Sequence, residues 1–501
     1  MKTLKSILIV VVASLLTFAL LVPVSARLLP TENDFSAVDT YLEEQRQALG
    51  IPGLAVAIVR GDQIAYLGSY GKAGSDGRPV TPQTPFQIGS TTKSMTALAI
   101  MQLVEAGQID LDAPLQTYLP WFTVADPAAA AQITIRHLLN QTSGLSTATG
   151  RDEFAASDLS DEAIENSVRA LADAELISAP GVTYHYSNSN FTILGLVVQV
   201  ISDQSYESYM QEHIFDPLEM RHSFTAEEPA IQDGLSTGYV TFFGLPVTRR
   251  TPFNRGSLPN GYIFSSAEDL AQYLLVQLND GRYGDVSVLT PQGMDAMHAA
   301  AAPTGTPGVS YAMGWYVGEI TGVPAIYHSG DNANYAAFLL MAPEDEIGIA
   351  LLVNVNGFPV NNAAKQLSSG VLAILLDQAP RPYEKPEEVF LAVGSALLPC
   401  LVALLWTGWS IFRFIRRGKR AIAPRRSFMW WAFVIILPVL LNLVLLAVLL
   451  KGIPGVWELP LSGFAQMFPD YFTLIMLSSI ALLVWGILGT VLTFKQSRAG
   501  H

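Results

Sequence analysis

Short apolar runs and amphipathic stretches alternate between residues 34 and 383, a pattern typical of a globular domain with both strands and helices. An opening helix is predicted over 35–49. Strands are predicted at 53–59, 64–70, 325–328, 336–341 and 347–353. Helical patterns dominate between the second and third of these runs, up to about Met220. We therefore expect a mainly helical insert between two parts of one sheet.

One of the predicted helices is apolar on nearly every face. In the stretch from Ser94 to Gly107, Met95 and Leu98 recur at near-helical spacing, and the glycine stands where a helix C-terminus favours it. Ser90 falls at the start of this helix and Lys93 one turn later. Residues three apart share a helix face, so the hydroxyl and the amine can meet. An alcohol with a nearby base is an activated nucleophile, and the helix N-terminus offers backbone N–H groups to an oxyanion.

A serine three residues before a lysine occurs a second time, at Ser69 and Lys72. That pair lies in a glycine-rich strand and turn with no helix behind it, so nothing brings the two side chains together. We interpret it as structural. Ser90 and Lys93 remain the candidate catalytic pair.

The two ends of the chain are predicted to be membrane segments. Residues 1–26 open with two lysines, continue through an uncharged run and end in small residues, which indicates an export signal that is either cleaved or kept as an anchor. The C-terminal segment 389–501 contains three apolar stretches long enough to span a bilayer. These predicted spans are 389–412, 428–450 and 472–494.

Charge sets the predicted topology. The loop between the first two spans carries seven Arg and Lys residues, whereas the loop between the second and third carries only Lys451. Positive loops stay in the cytoplasm, so residues 27–388 are predicted to form an extracytoplasmic domain on a multi-pass membrane anchor. Membrane lipid is therefore an expected partner.

Composition narrows the function classes. Of 501 residues 50% are hydrophobic, which agrees with membrane segments, and the single cysteine, Cys400, excludes an intrachain disulfide. The net charge is −14, but the charges are unevenly distributed along the chain. The segment from Arg413 onward contains ten basic and two acidic residues, which leaves 19 basic and 41 acidic residues before it. An acidic body argues against a nucleic-acid partner. The scattered histidines contain no His-Glu-x-x-His motif, so neither a metal site nor a cofactor is predicted.

Two further motifs each occur once, Tyr186-Ser187-Asn188 before a helix predicted over 191–201 and His328-Ser329-Gly330 at the end of a predicted strand. Together with Ser90-Thr91-Thr92-Lys93, and in this order, they resemble the serine β-lactamase and penicillin-binding-protein superfamily, in particular its class C-like branch. The resemblance covers about residues 34–376. It implies an α+β fold, with an antiparallel sheet flanked by helices and a mainly helical subdomain, and an active site at their junction.

The resemblance also implies residue roles. Ser90 would attack a carbonyl and form an acyl-enzyme that water hydrolyses, with Lys93 and Tyr186 sharing the proton transfer. An ammonium nearby lowers the pKa of a phenol, which would help Tyr186 act as a base. Asn188 would bind substrate or hold Lys93. The backbone N–H groups of Ser90 and Asp331 would form the oxyanion hole.

The third motif, which the resemblance assigns to substrate binding through His328 and Gly330, departs from the form of most β-lactamases, where lysine stands in place of His328. Histidine is mostly neutral at pH 7, so it attracts a substrate carboxylate less strongly than the charged lysine does. We therefore expect a peptide, including D-amino-acid and cell-wall-related peptides, or an ester, ahead of a β-lactam. The rival interpretations are a penicillin-sensing receptor that is acylated without turnover and a catalytically silent binding protein.

Overall fold

The computed structural model describes residues 34–149, 157–381 and 383, together with scattered positions between 398 and 491 that include 446–452, 461–467 and 469–477. The α-helices are α1 (Ser36–Leu49), α2 (Thr92–Glu105), α3 (Pro127–Ala130), α4 (Ile135–Leu139), α5 (Ala163–Arg169), α6 (Asn188–Ser202), α7 (Tyr206–Met210), α8 (Glu227–Gln232), α9 (Leu258–Gly261), α10 (Ala267–Leu278), α11 (Pro291–His298), α12 (Ala363–Leu375) and α13 (Leu461–Met467).

The strands are β1 (Gly53–Arg60), β2 (Gln63–Gly71), β3 (Phe86–Gln87), β4 (Tyr239–Phe242), β5 (Leu245–Thr248), β6 (Phe264–Ser265), β7 (Arg282–Tyr283), β8 (Val286–Ser287), β9 (Ala302–Pro303), β10 (Ser310–Tyr311), β11 (Tyr316–Ile320), β12 (Val323–Asp331), β13 (Ala336–Ala342), β14 (Ile347–Val353) and β15 (Val355–Asn356). Eight of them form one antiparallel sheet in the order β2-β1-β14-β13-β12-β11-β10-β9.

This strand order confirms the predicted insert. β1 pairs with β14, Leu54 opposite Val353, so the first and last long strands are neighbours although some 290 residues of chain lie between them. Helices α2 to α11 belong to that intervening chain. The fold is therefore the predicted α+β class, an antiparallel sheet flanked by helices.

Helices cover both faces of the sheet at β1, which explains why this strand is a continuous apolar run. Ala55 and Ala57 face the larger core, to which α2 and α10 contribute, whereas Leu54 and Val56 face a smaller core formed with α1 and α12. All four side chains are fully buried. Successive side chains point to opposite faces of a strand, so a strand covered on both sides needs apolar residues throughout.

Two predicted boundaries were wrong in ways that matter for the site. The helix predicted from Phe191 begins at Asn188, so this residue belongs to the first turn of α6. The strand predicted to end near His328 continues to Asp331, because β12 stays paired with β13 up to Asp331 opposite Ala336. The His-x-Gly motif therefore lies within a strand.

The predicted signal segment 1–26 and most of the predicted spans lie outside the described residues. Among the helices of the part of the chain that the structure does describe, none combines the length and the apolar character needed to cross a membrane.

Candidate active site

Ser90 lies in a 3-10 turn, Gly89–Thr91, that leads directly into α2. Its side chain is half-buried, whereas Lys93 below it is completely buried. Gly89 has a φ of +55°, and a Cβ at this position would lie 2.6 Å from the backbone nitrogen of Asp331. Glycine thus allows both the left-handed conformation and the close approach of β12 to this turn.

Three acceptors surround the amine of Lys93. As an ammonium, its Nζ donates to Ser90 Oγ at 3.0 Å, to Asn188 Oδ1 at 2.9 Å and to the backbone oxygen of Asn260 at 2.6 Å. A buried charge is tolerated when its donors are hydrogen-bonded, and these acceptors match the three N–H groups of an ammonium. The structure therefore brings together three residues that the sequence predicted, Ser90, Lys93 and Asn188.

Tyr186 lies beside this amine. The Nζ of Lys93 is 5.0 Å from the centroid of the Tyr186 ring, and the ring is half-buried at the site. The His328 ring follows at 6.3 Å between centroids. The phenol, the amine and the imidazole, which come from distant parts of the chain, thus share one pocket with Ser90.

His328 is buried and uses both ring nitrogens on protein groups. Its Nδ1 lies 2.6 Å from the backbone oxygen of Ser329, and its Nε2 lies 3.2 Å from the hydroxyl of Tyr311. A carbonyl oxygen can only accept, so Nδ1 carries the hydrogen and Nε2 accepts from the tyrosine. Burial, followed by the nearby charge of Lys93, lowers the pKa of His328 to about 3, against the Ser329 hydrogen bond, which raises it. The ring is therefore neutral at physiological pH, and its role in substrate binding stays a prediction.

The predicted oxyanion hole lies where two backbone segments touch. A Cβ on Gly330 would stand 1.9 Å from the oxygen of Ile88 and 3.2 Å from the nitrogen of Ser90. β12 can approach the serine turn this closely because residue 330 has no side chain. The N–H groups of Ser90 and Asp331 consequently come from adjacent backbones, as a pair of donors to one oxygen would require.

The sequence interpretation missed Gln141, which holds the segment around Tyr186. Its side-chain oxygen accepts from the backbone N–H of Ser187 at 2.9 Å, and its backbone oxygen accepts from the N–H of His185 at 2.8 Å. Gln141 is fully buried and has a φ of +58°. Both neighbours of Tyr186 are thereby fixed. An unusual backbone angle at a glutamine has no signature in the sequence, so this residue could not have been predicted.

Asn260 was also missed. Its backbone oxygen accepts from Lys93, and its side-chain nitrogen donates to Thr192 Oγ1 at 3.0 Å, which ties α9 to α6. A carbonyl can be supplied by any residue type, so its function is invisible in the sequence. Ser69, the alternative serine, lies on β2 opposite Ala55, within a strand of the main sheet.

The buried imidazole predicts a pH effect on stability. The folded state keeps His328 unprotonated down to about pH 3, whereas an unfolded chain takes up that proton near pH 6.5, so stability contributed by the neutral ring is lost as pH falls through this window. We expect His328 to account for a loss of about 2 kcal/mol between pH 7 and pH 5. His328→Gln, which stays neutral, should remove this part of the loss.

Denaturant unfolding of the wild type and of His328→Gln at both pH values measures this difference. Other titrating groups contribute equally to both proteins. These groups include His298, whose pKa burial lowers to about 4, and Asp269 and Asp331, whose pKa values burial raises to about 6. Parallel pH dependence of the two proteins would contradict the neutral assignment of His328.

Comparison with known proteins places the chain among proteins of similar sequence and fold. A sequence model described as Beta-lactamase matches residues 38–369. The chain is 29% identical over 345 residues to Protein flp of Staphylococcus aureus (strain MW2), a match that covers 68% of this chain and 67% of that protein. It is 29% identical over 325 residues to Penicillin-binding protein 4 of Amycolatopsis lactamdurans, covering 61% of this chain and 81% of that protein.

A solved structure is similar over a comparable share of the chain. The octameric penicillin-binding protein homologue from Pyrococcus abyssi has a TM-score of 0.61 and 28% sequence identity, and the match covers 70% of this chain and 78% of the other. Sequence and fold comparisons thus point to the same group of proteins.

Proposed function

Because the chain belongs to the Beta-lactamase family, we propose that it is a serine hydrolase that works through an acyl-enzyme on Ser90. The observation that carries the proposal is the contact of Lys93 Nζ with Ser90 Oγ at 3.0 Å. Ser90 is half-buried and stands at the start of a buried helix. A hydroxyl becomes a nucleophile when a base within hydrogen-bond reach can take its proton. Lys93 and Tyr186 would do so as a pair, in which the Lys93 ammonium stabilises the Tyr186 phenolate and the phenolate takes the proton.

The proposed reaction has two halves. Ser90 Oγ attacks the substrate carbonyl, its proton passes to the Lys93 and Tyr186 pair, and the oxyanion is held by the N–H groups of Ser90 and Asp331. The pair then protonates the leaving group, which departs and leaves an ester on Ser90. Water attacks this ester in the second half, with the same groups taking and returning the proton. Asn188 keeps Lys93 in place through its 2.9 Å hydrogen bond.

The neutral imidazole supports a preference among substrates. His328 has both nitrogens engaged and brings no positive charge to the pocket, so a substrate carboxylate would gain little from it. This favours a peptide, including a D-amino-acid peptide, or an ester over a β-lactam. β-Lactams are nevertheless included among the substrates to be tested, because two relatives are named as a penicillin-binding protein or its homologue.

The proposed setting is the outer face of a membrane. It is supported by the sequence, in which the predicted spans and their positive loop put residues 27–388 on the extracytoplasmic side. Cell-wall peptides and lipids are the partners that such a setting makes available.

A fluorophosphonate label followed by peptide mapping tests the nucleophile, and burst kinetics with chromogenic esters, D-amino-acid peptides and β-lactams test the activity. Label on Ser90 with steady turnover supports the hydrolase. A single stoichiometric burst would instead favour the penicillin-sensing receptor. Absence of any label on Ser90 would refute both functions.

Gly330→Ala is expected to lower kcat by about 100-fold to 1,000-fold, the cost of losing one oxyanion donor. The added methyl would lie 1.9 Å from the oxygen of Ile88, so β12 must move away from the serine turn and take the N–H of Asp331 with it. Initial rates on a short ester measure the effect.

Gly261→Ala is the matched control, because its added methyl would meet the same serine turn at an ordinary 3.6 Å from Gly89. We expect its kcat to stay within about threefold of the wild type. Equal rates for the two variants would contradict the oxyanion role of β12.

A further inference from the structure

Helix α13, from the C-terminal part of the chain, packs onto the domain beside the candidate active site. The guanidinium of Arg249 donates through Nη1 to the backbone oxygen of Ala465 at 3.0 Å. Phe464 is completely buried, and the ring of Tyr471 lies 5.9 Å from that of Phe358. The predicted topology puts this segment in the extracytoplasmic loop between the second and third spans, on the same side as the domain.

The same arginine segment also holds the loop that follows β12. Asn334 Nδ2 donates to the backbone oxygen of Arg249 at 2.9 Å, and Thr251 Oγ1 donates to Asn334 Oδ1 at 2.9 Å. Asn332 Nδ2 in turn donates to the oxygen of Gly261 at 3.1 Å. Hydrogen bonds thus connect α13 with the loop that begins directly after the oxyanion residue Asp331.

α13 covers one side of Asp331. A narrow crevice remains between the helix and the domain, lined by Thr251, Tyr262, Asp331, Asn332, Ala333, Gly463 and Gln466. Its free volume is about 10 Å³, about the room that one water molecule needs. A group of several carbon atoms therefore cannot enter this crevice while α13 stays docked, although the side chain of Asp331 is itself exposed to solvent.

The chemistry decides which part of a substrate points toward this crevice. The group that protonates the leaving group must lie next to it, and the Tyr186 ring stands at the His328 end of the motif on β12, 6.3 Å from the His328 ring. Asp331 is three residues further along the strand, about 10 Å away. With the carbonyl oxygen held near the N–H of Asp331, the acyl part extends away from Tyr186 and toward α13.

We propose that α13 is a specificity-determining element that limits the length of the acyl group. The inference rests on the proposed acyl-enzyme function. Substrates with a short acyl part would fit between Ser90 and α13, whereas longer ones would require the helix to leave its position. Arg249 acts as a positioning residue, because it holds both the helix and the loop after Asp331.

The test compares nitrophenyl acetate, butyrate and octanoate, which share one leaving group, on the full-length protein in detergent. We expect the wild type to prefer acetate. Arg249→Met and Phe464→Ala should raise the kcat/KM ratio of octanoate to acetate by about tenfold or more, since the end of the pocket opens. Arg250→Met is the matched control, because this neighbouring arginine is exposed and pairs with Glu227 instead; its ratio should equal that of the wild type.

A cross-link measures the docking without any activity. Both positions line the crevice, so Ala333→Cys with Gly463→Cys, in a chain that carries Cys400→Ser, should be joined by a short bifunctional maleimide, which peptide mapping detects. The cross-linked protein should hydrolyse octanoate least. Failure to form this cross-link, or an unchanged acyl-length ratio in Arg249→Met and Phe464→Ala, would overturn the proposal. Absence of fluorophosphonate label on Ser90 in the wild type would show separately that the hydrolase function is wrong.

Discussion

Ser90→Ala is expected to abolish fluorophosphonate labelling and to lower kcat/KM by about 10⁴-fold to 10⁶-fold while the protein stays folded. The hydroxyl oxygen is the attacking atom in the proposed reaction, and neither Lys93 nor Tyr186 can replace it. Structurally the change is small, because Ser90 is half-buried at the mouth of the pocket and Lys93 keeps its bonds to Asn188 and Asn260. Ester turnover, labelling and the thermal midpoint should be measured on one preparation.

Ser69→Ala provides the matched control, since it removes the hydroxyl of the second serine that stands three residues before a lysine. This residue lies on β2, paired with Ala55, and we expect its variant to label and turn over like the wild type. If label were to remain after Ser90→Ala, or to be lost after Ser69→Ala, the nucleophile would be another residue.

Lys93→Met is expected to lower kcat by at least about 1,000-fold without a matching loss of stability. Methionine fills a similar volume but cannot handle a proton, so Ser90 loses its activation. The free energy of unfolding is subject to two opposing changes. Removing a completely buried charge gains several kcal/mol, whereas Asn188 Oδ1 and the Asn260 oxygen each lose a donor at about 1–3 kcal/mol.

We therefore expect the free energy of unfolding of Lys93→Met to equal or exceed that of the wild type. Loss of the ammonium should also raise the pKa of His328, because the charge of Lys93 is one cause of its depression. NMR titration of the His328 ring measures this shift. Wild-type activity in Lys93→Met, or a His328 pKa that does not rise, would refute the proposed role of the buried amine.

A stability that survives while activity disappears would identify Lys93 as a functional residue. A structural lysine would show the opposite result, since its removal would cost stability and leave kcat unchanged. The two measurements together thus separate a catalytic role from a packing role.

Much of the fold was predictable because most of its elements carry local patterns. The opening helix, the hairpin of β1 and β2, and the three later strands were predicted within a few residues of their observed bounds. β1 and β14 are buried on both faces, so their apolar runs are long and clear. The short strands β9 and β10, at the edge of the sheet, have only two residues each and no periodicity to detect.

The site was predictable to the extent that side-chain chemistry defines it. Ser90, Lys93, Tyr186 and His328 are residue types whose reactivity or charge is distinctive, and their motifs occur in a recognisable order. Gln141 and Asn260 were not predicted. Gln141 acts through its backbone angle and its side-chain amide, and Asn260 acts through its backbone carbonyl oxygen. The neutral state of His328 was expected from the ordinary pKa of histidine. Its hydrogen bonds to Tyr311 and Ser329 could not be predicted from the sequence, because they depend on the tertiary structure.

By itself, the amino-acid sequence determined the class of fold, the candidate nucleophile and the acidic character of the domain. The first depends on hydrophobic periodicity, the second on residue type and the third on charge, and each of these can be read from a local stretch of sequence. Only the tertiary structure decided that residues 90, 93, 186 and 328 share one pocket, that glycines let two backbones touch at the oxyanion position, and that α13 lies beyond Asp331. Those features depend on distances between segments far apart in the chain, which packing of the whole core sets and no local pattern records.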